Sequence, residues 1–342
     1  MKRVFYWVLL ALLAGAVVAL SILYYNVEDL WRPQNYLLSR GREWILTGDQ
    51  HLFDVTRRTF DVTGLDGFKE GSRKYTPVIS PRSVFVANFV TPAANRSVGA
   101  GELVLGILNG QVATAYPLRV LVGHQVVNDN SQSPPVLAYF GQTSRTAAGF
   151  VAVSNGEALS MASTGLVYWD ADLLFDVSTE SLFLPLTGAF VAGDRLGQRL
   201  ELLGSAVLTL DEWLALFPDS RIMSPNTGFY QKRYPPLDLS EQTPLPKTSP
   251  LARSRLRAIP DTAAVVLEEG SESLLIPLPD RKDWARAEYA VSFGGSDYVV
   301  HLTETFGGAY VTDESGKLSP SLRSRRPVCA MILPDARMAA PR

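Results

Sequence analysis

Three groups of residues in this chain have types and spacing suited to chemistry. His124 closes an apolar run, AYPLRVLVGH, and is followed by Gln125 and then by Val127-Asn128-Asp129. An imidazole held at the end of a structural element, before an Asx-type turn, can ligate a metal or take a proton near neutral pH. Asp170, Asp172 and Asp176 share parity in YWDADLLFDV. A continuous strand would put all three carboxylates on one face, where a hard cation such as calcium or magnesium finds its oxygens. Thr143-Ser144-Arg145-Thr146 offers hydroxyls, the raw material of nucleophilic catalysis.

Each group also has a plain structural reading. His51 and His301 are remote in sequence from His124, whereas a metal site of the zinc type needs three or four ligands. A ring nitrogen bonded to a backbone carbonyl would serve only to pack the turn. Aspartate is depleted in strand interiors and favoured in turns, so Asp170 to Asp172 are expected to form a turn that breaks the common carboxylate face. No G-x-S-x-G elbow, G-x-G-x-x-G loop or Walker box is present, and Phe293-Gly294-Gly295-Ser296-Asp297 is a hairpin turn, not a phosphate loop. Arg323, Arg325 and Arg326 read as a small solvated basic cluster. Cys329, the single cysteine, excludes an internal disulfide and any Cys-rich zinc site. Neither a metal nor a cofactor is expected.

The elements that must position these residues belong to a globular, loop-rich chain. It has 342 residues, 46% hydrophobic and 19% charged, with 22 prolines and 26 glycines. That length suits two ordinary domains at roughly 150 residues each. A formal net charge of -2 gives no broad basic face, so nucleic acid is excluded as a first-choice partner. At the N-terminus, Lys2 and Arg3 precede an uncharged run from Val4 to Tyr25. At about 1.5 Å per residue such a run spans the roughly 30 Å hydrocarbon core of a bilayer. Residues 1–25 are therefore expected to be an uncleaved transmembrane anchor, touching lipid through residues 4–25. The basic residues stay in the cytoplasm and the body lies outside it, periplasmic or extracellular.

Residues 26–79, with NVEDLWRPQNYLLSRGREWILTG and DQHLFDVTRRTF, read as a membrane-proximal segment of short helices. From Val84 onward the text changes to short β-branched and aromatic runs between turn residues: SVFVANFV, ELVLGIL, QVATAYPL, PPVLAYFG and AAGFVAVS. The run ending at His124 is read as a strand. Thr209 stands three residues before Glu212 in TLDEWLALFPDS, the spacing of a capping box, and Pro218 ends the helix that follows. Residues 236–260 form a proline-rich connector. Beyond it a phrase returns. Gly110 is followed by six residues and Pro117-Leu118, and Gly270 by six residues and Pro277-Leu278. The chain thus divides into a first half at 80–235, the connector, a second β-rich half at 261–335 and a tail at 336–342.

The phrases GELVLGILNGQVATAYPLRVLVGHQVVND, STGLVYWDADLLFDVSTESLFLPLTGAFVAGDRLGQRLELLGSAVLTLDEWLALFPDSRIM and NTGFYQKRY resemble, in order, the domain of unknown function 3179 family of exported prokaryotic proteins. The resemblance runs through roughly residues 80 to 235. The AYPLR box, His124, Asn128-Asp129, Tyr168, Asp172, Asp176, the Thr179-Glu180-Ser181-Leu182 run and Trp213 fall where the family pattern places them. Four departures stand out. Where members typically carry a Cys-Pro-Leu-Cys-Gly or Cys-Pro-Leu-Thr-Gly box, this chain has Tyr139-Phe140-Gly141-Gln142-Thr143-Ser144. Trp-His-Glu becomes Gly123-His124-Gln125, Asp-Arg becomes Asp176-Val177, and Ser-Leu-Trp becomes Ser181-Leu182-Phe183. A thiol, a carboxylate and a guanidinium are absent from their expected places.

The resemblance implies a candidate pocket of His124, Asn128, Asp129, Ser144, Tyr168, Asp172, Asp176 and Ser181. It implies no reaction. The expected fold is mainly β with short helices, two weakly related halves around one core behind a transmembrane helix. The expected function is a non-catalytic binding or scaffolding component of the cell envelope, with an envelope protein as candidate partner. The alternative is a metal- or cofactor-dependent enzyme using His124 with Asp172 and Asp176.

Overall fold

The computed structural model describes residues 36–39, 41–47, 51–65, 82–228, 234, 259, 262–270, 272–278, 288–303 and 309–339. The expected anchor at 1–25 and almost all of the expected connector at 236–260 lie outside the described residues. Among the described residues no helix is long and apolar enough to cross a membrane.

Among the described residues the fold is mainly β with three short helices. The expected short helices at 26–79 are replaced, where that segment is described, by an antiparallel meander of β1 (Tyr36–Ser39), β2 (Arg42–Leu46) and β3 (Leu52–Asp54). Gly41, at φ +78°, turns the first hairpin, and the cross-strand partners Ile45 and Phe53 are both fully buried. The governing period is two, not 3.6, and the apolar residues of REWIL and LFD alternate in and out accordingly.

The strand-like runs from Val84 onward do form strands: β4 (Phe89–Val90), β5 (Leu103–Asn109), β6 (Val112–Pro117), β7 (Val126–Asp129), β8 (Val136–Phe140) and β9 (Ala147–Val151). Between β6 and β7 the expected strand leading to His124 is instead helix α1 (Leu118–His124). Pro117 occupies its N-cap, and Leu118, Leu121 and His124 recur at helical spacing on the buried side. The β-branched Val120 and Val122 disguised that period.

After a small hairpin of β10 (Val153–Ser154) and β11 (Glu157–Ala158), a four-stranded sheet runs through β12 (Met161–Tyr168), β13 (Ala171–Asp176), β14 (Leu182–Leu184) and β15 (Ala189–Ala192). Next come β16 (Leu202–Thr209), α2 (Leu210–Leu216) and β17 (Arg221–Met223). Thr209 caps α2 with the full reciprocal box to Glu212. The α2 residue Trp213 lies wholly buried against Gly106, where a Cβ would stand 2.2 Å from its ring.

The C-terminal part contributes β18 (Ala263–Glu269) and β19 (Glu272–Pro277). A separate meander follows, β20 (Glu288–Phe293), β21 (Ser296–Leu302) and β22 (Ala309–Asp313), whose first turn is the expected Gly294-Gly295 hairpin. The chain then forms β23 (Ser321–Arg325), α3 (Arg326–Ile332) and β24 (Arg337–Met338). One sheet joins both parts in the order β24-β19-β18-β23-β9-β16-β5-β6-β17-β4, with β8 and then β7 branching from β9.

The same pairing scheme occurs twice in that sheet. β5 lies between its hairpin partner β6 and β16; β16 leads into α2 and then β17, which runs parallel to β6. Likewise β18 lies between β19 and β23, and β23 leads into α3 and then β24, parallel to β19. The turn glycines Gly110 and Gly270 share φ of +61° and +60°. FPDSRIM (217–223) and LPDARM (333–338) end the two helices alike, a second echo that reading the hairpins alone missed.

Candidate functional site

The C-terminal end of α1 divides two polar clusters. His124 faces one and Gln125 the other, because Gln125 adopts φ +60° and ψ −40°, a conformation non-glycine residues enter only at a cost of roughly 1–3 kcal/mol.

On the first side His124 is completely buried. Its Nδ1 donates to the carbonyl of Arg82, which leaves Nε2 as the acceptor for the Tyr234 hydroxyl at 2.6 Å. The Tyr234 hydroxyl is itself 2.7 Å from that of Thr227, and Arg119 of the AYPLR box donates to the Tyr234 carbonyl at 3.2 Å. Residues from three separate phrases, AYPLR, GHQ and NTGFYQKRY, thus meet at Tyr234. Burial pulls the imidazole below its ordinary pKa, and the Arg82 carbonyl offsets part of that. Gly123 makes room, since a Cβ there would stand 3.1 Å from the Tyr234 ring.

On the second side lies a buried carboxylate. Asp172 Oδ1 accepts from Gln125 Nε2 at 3.2 Å, and Oδ2 accepts from the Tyr139 hydroxyl at 3.0 Å. Gln125 Oε1 accepts in turn from Ser163. Burial raises the Asp172 pKa to about 6, against the pull of Tyr139 and Gln125. Burial and the facing carboxylate raise Tyr139 well above its ordinary value. Gly141 closes the cluster: a Cβ on it would stand 2.3 Å from the Tyr139 hydroxyl, 2.4 Å from Asp172 Oδ2 and 2.7 Å from Ser144 Oγ. Ser144 also accepts from Thr146, which is 2.7 Å from Ser324 Oγ on β23. Beside Ser324 sits Cys329, its thiol pushed up to about 12 by burial.

The remaining candidates are placed elsewhere. Asp176 is bonded to Ser178, Thr179 and Arg195, the last through Nε at 2.9 Å. Burial raises its pKa, but those donors together outweigh burial and hold it below the ordinary range. Ser181 accepts from the Arg195 amide at 3.0 Å. Asn128 staples strands, accepting from the Met161 amide and donating to the Met161 and Val84 carbonyls. Asp129 ties Tyr116, Gln132, Ser131 and Arg221 together. Tyr168 packs its ring against Phe60 and Trp169. The expected turn in YWDADLLFDV is there, but it comprises Trp169 and Asp170, both at positive φ, so Asp172 lies inside β13 on the face it shares with Asp176. Neither aspartate bonds the His124 ring. Among the described residues no group of three His, Cys, Asp or Glu is placed to hold a metal ion.

The groups absent from their expected places have neighbours of the same kind from elsewhere in the fold. Beside Gln125 stands the carboxylate of Asp172, from β13, and beside Asp176 the guanidinium of Arg195, from the loop after β15. The expected solvated arginines are also otherwise placed: Arg323 and Arg325 are 7% and 8% exposed, and burial beside Arg145 lowers Arg323 to about 10. Arg195 and Tyr139 escaped the sequence reading because no spacing signals a contact between non-adjacent strands.

A β-rich domain with paired polar clusters at the end of one short helix defines the class. The chain belongs to the family described as Protein of unknown function (DUF3179), whose match covers residues 81–317 and so extends past the connector into the second hairpin and the β20–β22 meander. No curated protein and no solved structure matches the chain.

Proposed function

We propose that this protein is a membrane-anchored, extracytoplasmic binding or scaffolding component of the cell envelope, in which the family site has been kept as structure without turnover. The observation that carries the reading is the closure of the Asp172 cluster. Both carboxylate oxygens are bonded to side chains, Tyr139 and Asp172 are 1% and 5% exposed, and Gly141 leaves no space for even one added methyl. A general acid or base must reach a substrate proton within hydrogen-bond distance, and a sealed carboxylate does not. His124 is engaged through both ring nitrogens and is equally enclosed. The anchor rests on the uncharged run from Val4 to Tyr25 behind Lys2 and Arg3.

The test is the native mass of the full chain extracted in mild detergent from its own membranes, for the wild type and for a His124→Gln, Asp172→Asn double variant. The reading predicts membrane fractionation and a species heavier than the 37.4 kDa chain in both. A chain that is soluble, that runs alone, or whose removal of His124 and Asp172 abolishes a measurable turnover contradicts it.

A further inference from the structure

A cleft of about 480 Å³ that shares no lining residue with the Asp172 cluster is lined by Arg42, Asp54, Thr56 and Arg57 on one wall and by Thr179, Glu180, Gly193 and Asp194 on the other. Its volume falls in the roughly 300–1,000 Å³ range of small-molecule sites. The first wall comes from the β2–β3 meander, which precedes the family match at residue 81; the second comes from the β13–β14 turn and the loop after β15, inside it. The cleft is therefore completed by a segment outside the family domain.

Both walls are held firmly. Arg58 bridges to Ala192, and the Thr59 amide donates to the Val191 carbonyl at 2.9 Å. Thr56 is fixed by Asp54 and by the Glu43 amide, each at 2.9 Å. Below the second wall, Asp176 binds Thr179 and Arg195, and Gly193 at φ +85° sits so close to Ser181 that a Cβ would stand 2.8 Å from it. Glu180 holds φ +57°, an unfavourable backbone for a residue with a side chain.

The charges are unevenly spent. Arg58 is paired with Glu43, and Arg195 with Asp176 and Glu157. Arg42 and Arg57, by contrast, have no ion pair among the described residues, and Asp194 on the facing wall has none either. Glu180 is met by His51 at 3.2 Å. A plain anion would face three carboxylates here and a plain cation two guanidiniums. A molecule with both charges suits the two walls: the arginines take its carboxylate beside Asp54, whose Oδ1 is already engaged by the Thr56 amide, and the opposing carboxylates take its ammonium.

We propose that this cleft binds a small zwitterion, a free amino acid or short peptide with free termini, its carboxylate held by Arg42 and Arg57 and its ammonium by Asp194 and Glu180. The test is calorimetric titration of the detergent-purified full chain with L-alanyl-L-alanine at low salt, beside N-acetyl-L-alanyl-L-alaninamide and inorganic phosphate. Saturable one-to-one binding of the free dipeptide is expected, weaker by about tenfold for the capped form and for either Arg57→Ala or Asp194→Asn. Both positions are exposed, so unchanged melting curves should accompany the loss. The proposal is overturned by absence of saturation at millimolar dipeptide, by equal binding of the capped form or of phosphate, or by indifference to both substitutions.

Discussion

The Tyr139 hydroxyl on β8 donates to Oδ2 of Asp172 on β13 at 3.0 Å, joining the large sheet to the four-stranded one through a buried carboxylate. In water Asp172 would titrate near 3.8, and in the fold it titrates at about 6. The folded protein therefore prefers the protonated acid. That preference stabilises the fold fully below pH 4 and is lost as pH rises through 6. At two pH units the difference amounts to at most about 3 kcal/mol. Asp172→Asn, which can accept from Gln125 and donate to Tyr139, should be at least as stable as wild type at pH 7. It should also flatten the pH dependence between 4 and 6, as read by urea denaturation.

His124 should show the opposite sign. Its pKa is depressed by burial, so its contribution is present above the unfolded value near 6.5 and is lost as pH falls below it. Imidazole NMR should find the ring more neutral at pH 6.5 than a free histidine, with the proton on Nδ1. His124→Gln should cost about 1 kcal/mol, the net worth of a typical hydrogen bond, with some packing in addition.

Gly141→Ala should be far costlier than an ordinary surface change. The new methyl meets three polar atoms that are bonded to one another or to neighbours, so none can swing away alone. A loss of about 1–3 kcal/mol is expected, with Tyr139 becoming reactive toward nitration.

Trp213→Ala should cost about 3–5 kcal/mol in chemical denaturation, since the ring is wholly buried against Gly106 and its Nε1 donates to Ser220 at 2.7 Å. A Trp213→Phe variant should recover most of this.

What could be read in advance were the features set by neighbours in sequence. Thr209 and Glu212 signal their helix within one turn, and Gly294-Gly295 signals its hairpin within two residues. The repeated glycine-to-proline interval marks two hairpins that the fold pairs in the same way. Helix α1 was missed because valines interrupt an otherwise helical spacing. The meander at 36–54 was missed because its strands are only three to five residues long. The candidate site was legible in membership only: His124, Asp172, Asp176 and Ser144 were found, but their partners Tyr234, Tyr139, Arg195 and Ser324 come from distant strands and loops. Tertiary pairing of that kind leaves no periodic trace in a single chain.

The closed carboxylate is the centre of the functional reading, and carboxyl footprinting tests it most directly. The native full chain is treated with a water-soluble carbodiimide and an amine at pH 6, and each carboxylate is quantified by mass spectrometry. Asp172 should remain unlabelled while the exposed Asp54 and Asp194 react, and it should label only after denaturation. Labelling of native Asp172 at a rate comparable to Asp194 would show that small molecules reach it, and would contradict a site retained as structure alone.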